Sequence, residues 1–212
     1  MQIKKQSVTA ITAVAVIAVI VAFVTAVATF NMAFAATARA PKKSQQQPAY
    51  PIYGDGPVEV RLYTDYFCLP CRAMKPEIDP VLKELVESNK VRLVMIDMPN
   101  SKDSVEYSKE YLRCLHIYTN DIETAIALKS HFHFAAEHGY PINDYLNSMK
   151  IARSKGRDAN ISAVLSYYNA KISEDQVRAT PTCIIEEEGK KESYVGRDKI
   201  IQALKNLKTK RK

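Results

Sequence analysis

The sequence lacks the second close-set pair of cysteines or histidines that a structural zinc site needs. Its four cysteines are the Cys-x-x-Cys pair Cys68 and Cys71 and the isolated Cys114 and Cys183. Structural zinc takes four ligands, usually from two such pairs, and the two histidines of the 131–133 segment would point away from each other on a helix. The sequence also has no RNA- or DNA-binding motif and no internal repeat. We therefore predict no metal site and no nucleic-acid partner.

Charge is also missing near the N-terminus, where residues 7–38 include no Asp, Glu, Lys or Arg. Lys4 and Lys5 precede this apolar run, an order typical of export signals, and the run is long enough to cross a bilayer as a helix. We interpret residues 1–40 as a signal peptide or an uncleaved signal anchor. Both predict a periplasmic or other extracytoplasmic domain, held at the inner membrane in the anchored case. Arg39 follows the run, so a reversed, cytosolic orientation stays open.

The remaining residues predict one globular domain. Residues 41–57 are polar and rich in helix breakers, which indicates a linker, and residues 209–212 form a basic tail. Within residues 58–208 we predict an α/β domain, because strand-like and helical patterns alternate along it. The predicted elements are a strand over 58–63, a helix over 72–88, a strand over 91–96, three or four helices in one lobe over about 104–170, a strand hairpin over 183–195 and a last helix.

The Cys-x-x-Cys pair lies where the first strand gives way to the first helix. Cys68 is thus expected at a helix N-terminus, where exposed N–H groups and the helix dipole lower a thiol pKa and favour the reactive thiolate. Cys71, one turn later on the same face, can close a disulfide with Cys68 or resolve a mixed disulfide on it. Thiol–disulfide exchange is the leading hypothesis, and an inert structural disulfide is the alternative.

Four features together resemble the thioredoxin superfamily, and within it the DsbA-like branch of exported bacterial thiol oxidoreductases. They are the 68–71 motif after an aromatic residue, Pro76 inside the following helix, the helical insertion, and the segment Ala179-Thr-Pro-Thr182. The region around Cys68 is also similar to the catalytic domain of DsbC-type isomerases. The resemblance implies a thioredoxin-like fold, with a central mixed sheet and a helical insertion, preceded here by the N-terminal apolar helix.

The resemblance also implies roles for individual residues. Cys68 and Cys71 would be catalytic, and Leu69, Pro70, Thr180 and Pro181 would line the active site and bind substrate, with Pro181 in the cis form. One position departs from the pattern. Many relatives carry a buried acid six residues before the first cysteine, where this chain has Leu62. We expect Asp65 to cap the helix or to act through water, and Cys71 to lose its proton to solvent.

These observations predict an exported thiol–disulfide oxidoreductase that needs no bound cofactor. Its partners would be client proteins with cysteines and a membrane or soluble redox partner. We prefer an oxidase, although Pro70 is also typical of reducing thioredoxins, and an isomerase fits the same motif. A non-catalytic, membrane-tethered chaperone or assembly factor with the same fold is the competing class. Cys114 and Cys183 are either a second disulfide or buried free thiols.

Overall fold

A computed structural model describes residues 51–118, 121–156 and 158–210 of the 212-residue chain. The predicted N-terminal apolar helix, most of the predicted linker and the last two residues of the basic tail lie outside this range. None of the helices described is both long and apolar enough to span a membrane. The elements are β1 (Ile52–Tyr53), β2 (Val58–Thr64), α1 (Leu69–Glu87), β3 (Val91–Asp97), α2 (Lys102–Leu115), α3 (Ile122–Glu137), α4 (Ile142–Ser148), α5 (Asp158–Glu174), β4 (Thr182–Glu187), β5 (Lys190–Val195) and α6 (Arg197–Thr209).

The five strands form one mixed sheet in the order β1-β3-β2-β4-β5. β2 runs parallel to β3 and antiparallel to β4, and the two edge strands are antiparallel to their neighbours. β2 and β3 are parallel because α1 carries the chain back across the sheet between them. The carboxyl end of β2 leads directly to Cys68, so the sheet holds the start of the motif in place.

Side chains alternate between the two faces of the sheet, and each face has its own core. Val60 and Leu62 of β2 pack with α1 and α6 on one face. Tyr63 packs with α5 on the other face, where it meets Val164 and Tyr168. Because successive side chains point to opposite faces and both faces are covered, β2 is buried at nearly every position rather than at every second one.

The helical insertion is divided differently from the prediction. Four helices are described in it, of which α2, α3 and α4 share a core that includes Tyr66, Tyr107 and Phe132. α5 packs on the sheet instead, because its apolar residues join the cluster around Tyr63. The predicted single lobe of 104–170 is therefore a three-helix lobe followed by a helix that belongs to the sheet.

The predicted linker also ends earlier than expected, because β1 lies inside the 41–57 range. Tyr53 is buried and pairs with Leu93 at the edge of the sheet. Two residues are too short a strand to show a sequence pattern. Gly56 then lets the chain pass close to β3, since a Cβ atom there would lie 2.2 Å from the backbone nitrogen of Val91.

A buried ion pair joins the end of α5 to β2. The Arg61 guanidinium donates to both carboxylate oxygens of Asp175, at 2.5 and 3.0 Å, and Tyr63 Oη donates to the same carboxylate at 2.6 Å. Arg61 also contacts Glu59 on its own strand and Glu186 on the neighbouring strand β4. Burial alone would raise the pKa of Asp175, but the hydrogen bonds from Arg61 and Tyr63 outweigh it and hold this pKa below its usual value.

We predict that Asp175→Asn lowers the free energy of unfolding by about 2 kcal/mol, because the buried Arg61 loses its bidentate partner and keeps only the partly exposed Glu59 and Glu186. Equilibrium unfolding in urea measures the change. Glu174→Gln is the matched control, since Glu174 is exposed and its ion pairs should contribute less than about 1 kcal/mol. Equal losses in the two variants would contradict a special role for the buried pair.

The same pair predicts a dependence on pH. Because the folded-state pKa of Asp175 lies below the unfolded value, its contribution is complete above the unfolded pKa of about 3.9 and is lost as the pH falls through the folded pKa. Below about pH 4, stability should therefore fall more steeply in the native protein than in Asp175→Asn. Parallel curves of unfolding free energy against pH would contradict this.

Candidate active site

Cys68 and Cys71 form a disulfide at the start of α1, with their Cα atoms 5.2 Å apart. The two sulfurs differ in accessibility, because Cys68 is half-buried whereas Cys71 is almost completely buried. Leu69 lies between them with 65% of its surface exposed. An incoming thiol therefore meets Cys68 first, and Cys71 is placed behind it.

Local sequence explains why the helix begins at Leu69, three residues before the predicted start. Cys68 is the N-cap residue, and its Sγ accepts a hydrogen bond from the backbone N–H of Cys71 at 3.2 Å. Pro70 occupies the first turn, where its missing N–H costs nothing and its fixed φ suits a helix. Cys68 Sγ thus lies at the positive end of the α1 dipole, as the sequence predicts.

The segment before β4 faces the disulfide. The Thr180–Pro181 peptide bond is cis, as the resemblance implies, and the carbonyl oxygen of Thr180 lies 3.4 Å from Cys68 Sγ. Thr182 Oγ1 donates to the Ala179 carbonyl at 2.7 Å, and the Gly196 N–H donates to the Pro181 carbonyl at 3.0 Å. These two bonds hold the turn from both sides, next to the accessible cysteine.

A buried polar cluster that sequence reasoning missed lies beneath the active-site turn. Tyr66 Oη donates to Asp97 Oδ2 at 2.9 Å, and Lys129 Nζ donates to Asp97 Oδ1 at 2.5 Å. The Lys129 ammonium also lies 4.8 Å from the ring centroid of Tyr66 and 4.5 Å from that of Tyr111. Lys129 belongs to α3 and Asp97 ends β3, so this cluster ties the helical lobe to the sheet immediately behind Cys68.

His133, one turn beyond Lys129 on α3, belongs to the same cluster. Its Nδ1 lies 3.4 Å from the Tyr66 carbonyl oxygen. Burial and the nearby positive charges of Lys75, Lys129 and Arg72 hold the His133 pKa well below its usual value. The ring is therefore neutral at neutral pH, and because a carbonyl only accepts, Nδ1 must carry the proton that faces it.

Asp65 does not cap the helix, contrary to expectation. Its Oδ1 accepts from the Phe67 N–H at 2.7 Å, so it fixes the turn before the helix, whereas Cys68 takes the cap position. Asp65 Oδ2 is buried and has no hydrogen-bond partner among the residues described. Leu62, at the position of the relatives' acid, is buried in the apolar core against α1.

The two basic residues after the motif are both engaged. Arg72 Nη1 donates to the Tyr66 carbonyl at 3.3 Å. Lys75 pairs with Asp79 at 2.9 Å, and burial lowers its pKa despite that partner. Arg72 is thus held against the turn that precedes α1, and Lys75 is held against the next turn of α1 itself.

Of the two alternatives for Cys114 and Cys183, the second disulfide is contradicted, because both are free thiols. Both are free and completely buried. Cys114 of α2 belongs to the core of the helical lobe, whereas Cys183 of β4 packs in the sheet core with Leu62. A disulfide needs Cα atoms within about 7 Å, and the two thiols are placed in different cores. Burial raises the pKa of each thiol to about 12.

A sequence model described as thioredoxin matches residues 50–203. The chain belongs to the thioredoxin family. Solved structures with the same fold include the thiol-disulfide exchange protein alpha-DsbA2 of Wolbachia pipientis (22% identity, 74% of this chain and 87% of that one, TM-score 0.53). Others are a periplasmic thioredoxin-like protein of Salmonella enterica serovar Typhimurium (17%, 78% and 94%, 0.55) and a putative protein-disulfide isomerase of Pseudomonas syringae (11%, 74% and 97%, 0.59). No curated protein sequence matches significantly.

The predicted resemblance to the thioredoxin superfamily and the thioredoxin-like fold with a helical insertion are thus confirmed. A family member with a half-exposed Cys68 at a helix N-terminus, closed in a disulfide with Cys71, is a protein thiol–disulfide oxidoreductase.

We predict that the four cysteines differ sharply towards an alkylating reagent. The native oxidised protein should take up no label, because its two free thiols are buried and protonated, and the unfolded oxidised protein should take up two. After reduction of the native protein, Cys68 should react first. Mass spectrometry of the labelled peptides counts the sites. Labelling of Cys114 or Cys183 in the native state would contradict their burial.

Proposed function

We propose that this protein oxidises dithiols in exported client proteins, using Cys68 as the attacked sulfur and Cys71 as its internal partner. The observation that carries the proposal is the asymmetry of the disulfide. Cys68 is accessible at the positive end of α1, and Cys71 is buried behind it. No bound cofactor is needed, because the disulfide itself accepts two electrons.

The reaction would proceed in two exchanges. A client thiolate attacks Cys68 Sγ, the bond to Cys71 breaks, and Cys71 leaves as a thiolate that takes a proton from solvent. A second client thiolate then attacks the client sulfur of the mixed disulfide, so that the client disulfide forms and Cys68 leaves as a thiolate. The client has lost two electrons, and the Cys68–Cys71 pair has gained them. A membrane or soluble redox partner would reoxidise the pair.

The turn at Pro181 would position the client chain. Pairing between β2 and β4 begins at Thr182, so Ala179 and Thr180 precede the ladder and lie beside Cys68. An extended client segment could hydrogen-bond to this backbone as it reacts, in the way that a strand is added to a sheet edge. Leu69 and Pro70, both exposed, would contact the client on the other side of the disulfide.

The compartment follows from the N-terminal sequence. The uncharged run after Lys4 and Lys5 would export the domain, and an uncleaved run would tether it to the inner membrane. Disulfides persist outside the cytosol, which fits an oxidising role. The periplasmic thioredoxin-like protein of Salmonella has the same fold, which supports a similar location for this chain.

We predict that Cys68→Ser reduces the rate of dithiol-peptide oxidation to the uncatalysed rate, because the attacked sulfur is gone. Oxidation of a fluorogenic dithiol peptide measures the rate. Cys114→Ala is the control and should remain active, since Cys114 is a free thiol in the core of the helical lobe and alanine leaves no unpaired polar group there. Catalysis retained in Cys68→Ser would overturn the mechanism and favour the chaperone or assembly-factor alternative.

The reduction potential of the Cys68–Cys71 pair distinguishes the possible directions of exchange. We expect a value near −120 mV, the potential of strongly oxidising relatives, after equilibration in dithiothreitol or glutathione buffers. A value near −270 mV, as in thioredoxin, would contradict the oxidase and favour a reductase. Pro70 is the feature of the sequence that favours a reductase, because a proline at this position is typical of reducing thioredoxins.

A further inference from the structure

A cavity of about 310 Å³ opens beside the active-site turn, on the side of the helical lobe. Phe67, the residue before Cys68, forms one wall. The first turns of α2 and residues 139–143, which connect α3 to α4 and begin α4, form the others. This cavity lies on the lobe, whereas the turn at Pro181 belongs to the sheet, so it is a separate surface within reach of the same sulfur.

The walls of the cavity are fixed by contacts that do not depend on a ligand. Tyr107 Oη donates to the Tyr140 carbonyl at 2.5 Å, which holds the loop against α2. The rings of Phe67 and Tyr107 meet edge to face with centroids 4.9 Å apart. Asn143 Nδ2 donates to Glu106 Oε1 at 2.7 Å across the opening. Phe67 and Tyr140 nevertheless keep 37% and 47% of their surfaces exposed, which leaves aromatic surface for a ligand.

The charge of this cavity is opposite to that of the chain. The whole sequence carries a formal net charge of +7, but the cavity is lined by Asp103 and Glu106, one turn apart on α2, and by no basic residue among those described. Within the described part of the chain neither carboxylate forms an ion pair. Aromatic walls with two exposed carboxylates complement a lysine or arginine side chain, whose methylene stem packs on the rings while its charged head meets the acids.

We propose that this cavity binds a lysine or arginine side chain of the client, close in sequence to the cysteine that reacts with Cys68. The proposal rests on the oxidoreductase function above and adds a client preference to it. A disulfide places two Cα atoms about 5.5 Å apart, and an extended chain advances about 3.3 Å per residue. Since Phe67 is adjacent to Cys68, the basic residue would lie roughly two to four positions from the client cysteine.

The test compares two reduced peptides that differ only in having lysine or glutamate three positions from a single cysteine. The rate of mixed-disulfide formation with the oxidised full-length protein is measured for each, and divided by the rate of the same protein with dithiothreitol, a neutral thiol too small to bridge to the cavity. We expect the normalised rate of the native protein to be roughly fivefold to tenfold higher with the lysine peptide. This is the size of effect expected when two exposed carboxylates attract one charged side chain.

The double variant Asp103→Asn/Glu106→Gln should lose most of this preference, and Gln can still accept the hydrogen bond from Asn143. The matched control is Glu137→Gln/Asp144→Asn, which removes the same charge from the same lobe outside the cavity lining, and it should keep the native preference. Equal rates for the two peptides in the native protein, or a preference that survives in the double variant, would overturn the inference. A protein that fails to react with dithiothreitol would instead refute the proposed function.

Discussion

The buried contact between Lys129 and Asp97 joins the parts of the molecule that the active site needs. Lys129 comes from the helical lobe, Asp97 from the end of a central strand, and Tyr66 from the turn that leads into Cys68. A lysine buried without its carboxylate would be costly, so the lobe cannot separate from the sheet without exposing or neutralising this pair. The two aromatic rings beside the ammonium add to its stabilisation. The lobe is therefore docked at the point where the redox turn begins.

That docking has consequences for both surfaces near Cys68. On the sheet side, the turn at Pro181 is held by bonds to Thr182 and Gly196, and it presents the Thr180 carbonyl to the sulfur. On the lobe side, Phe67 connects the same turn to the acid-lined cavity through its contact with Tyr107. A client bound at Cys68 would be positioned between a backbone edge and a charged pocket. The backbone edge provides contacts that any extended chain can use, whereas binding in the acid-lined cavity depends on the client's side chains.

The sequence predicts some of these features well and misses others for physical reasons. The strands of the sheet core, the first helix and the β4–β5 hairpin carry strong local patterns, and the active cysteines and Pro181 belong to a recognisable combination of motifs. The contact between Lys129 and Tyr66 is different, because these two residues are 63 positions apart in the sequence. In addition, a lysine on a helix ordinarily faces solvent. The placement of α5 on the sheet is likewise decided by packing, since its apolar spacing would suit either core.

The two cysteines should control different aspects of the exchange. In the reduced protein Cys68 is stabilised as a thiolate by the N-terminus of α1, and any stabilisation of the reduced form raises the reduction potential. Cys71 is buried, so when it leaves as a thiolate its charge lacks the hydration that it would have in solvent. Leu62 has no proton to give to the Cys71 thiolate. The helix terminus therefore acts on the reduction potential, whereas the apolar surroundings of Cys71 act on the rate of exchange, so the proposed oxidation of clients does not require the buried acid of the relatives.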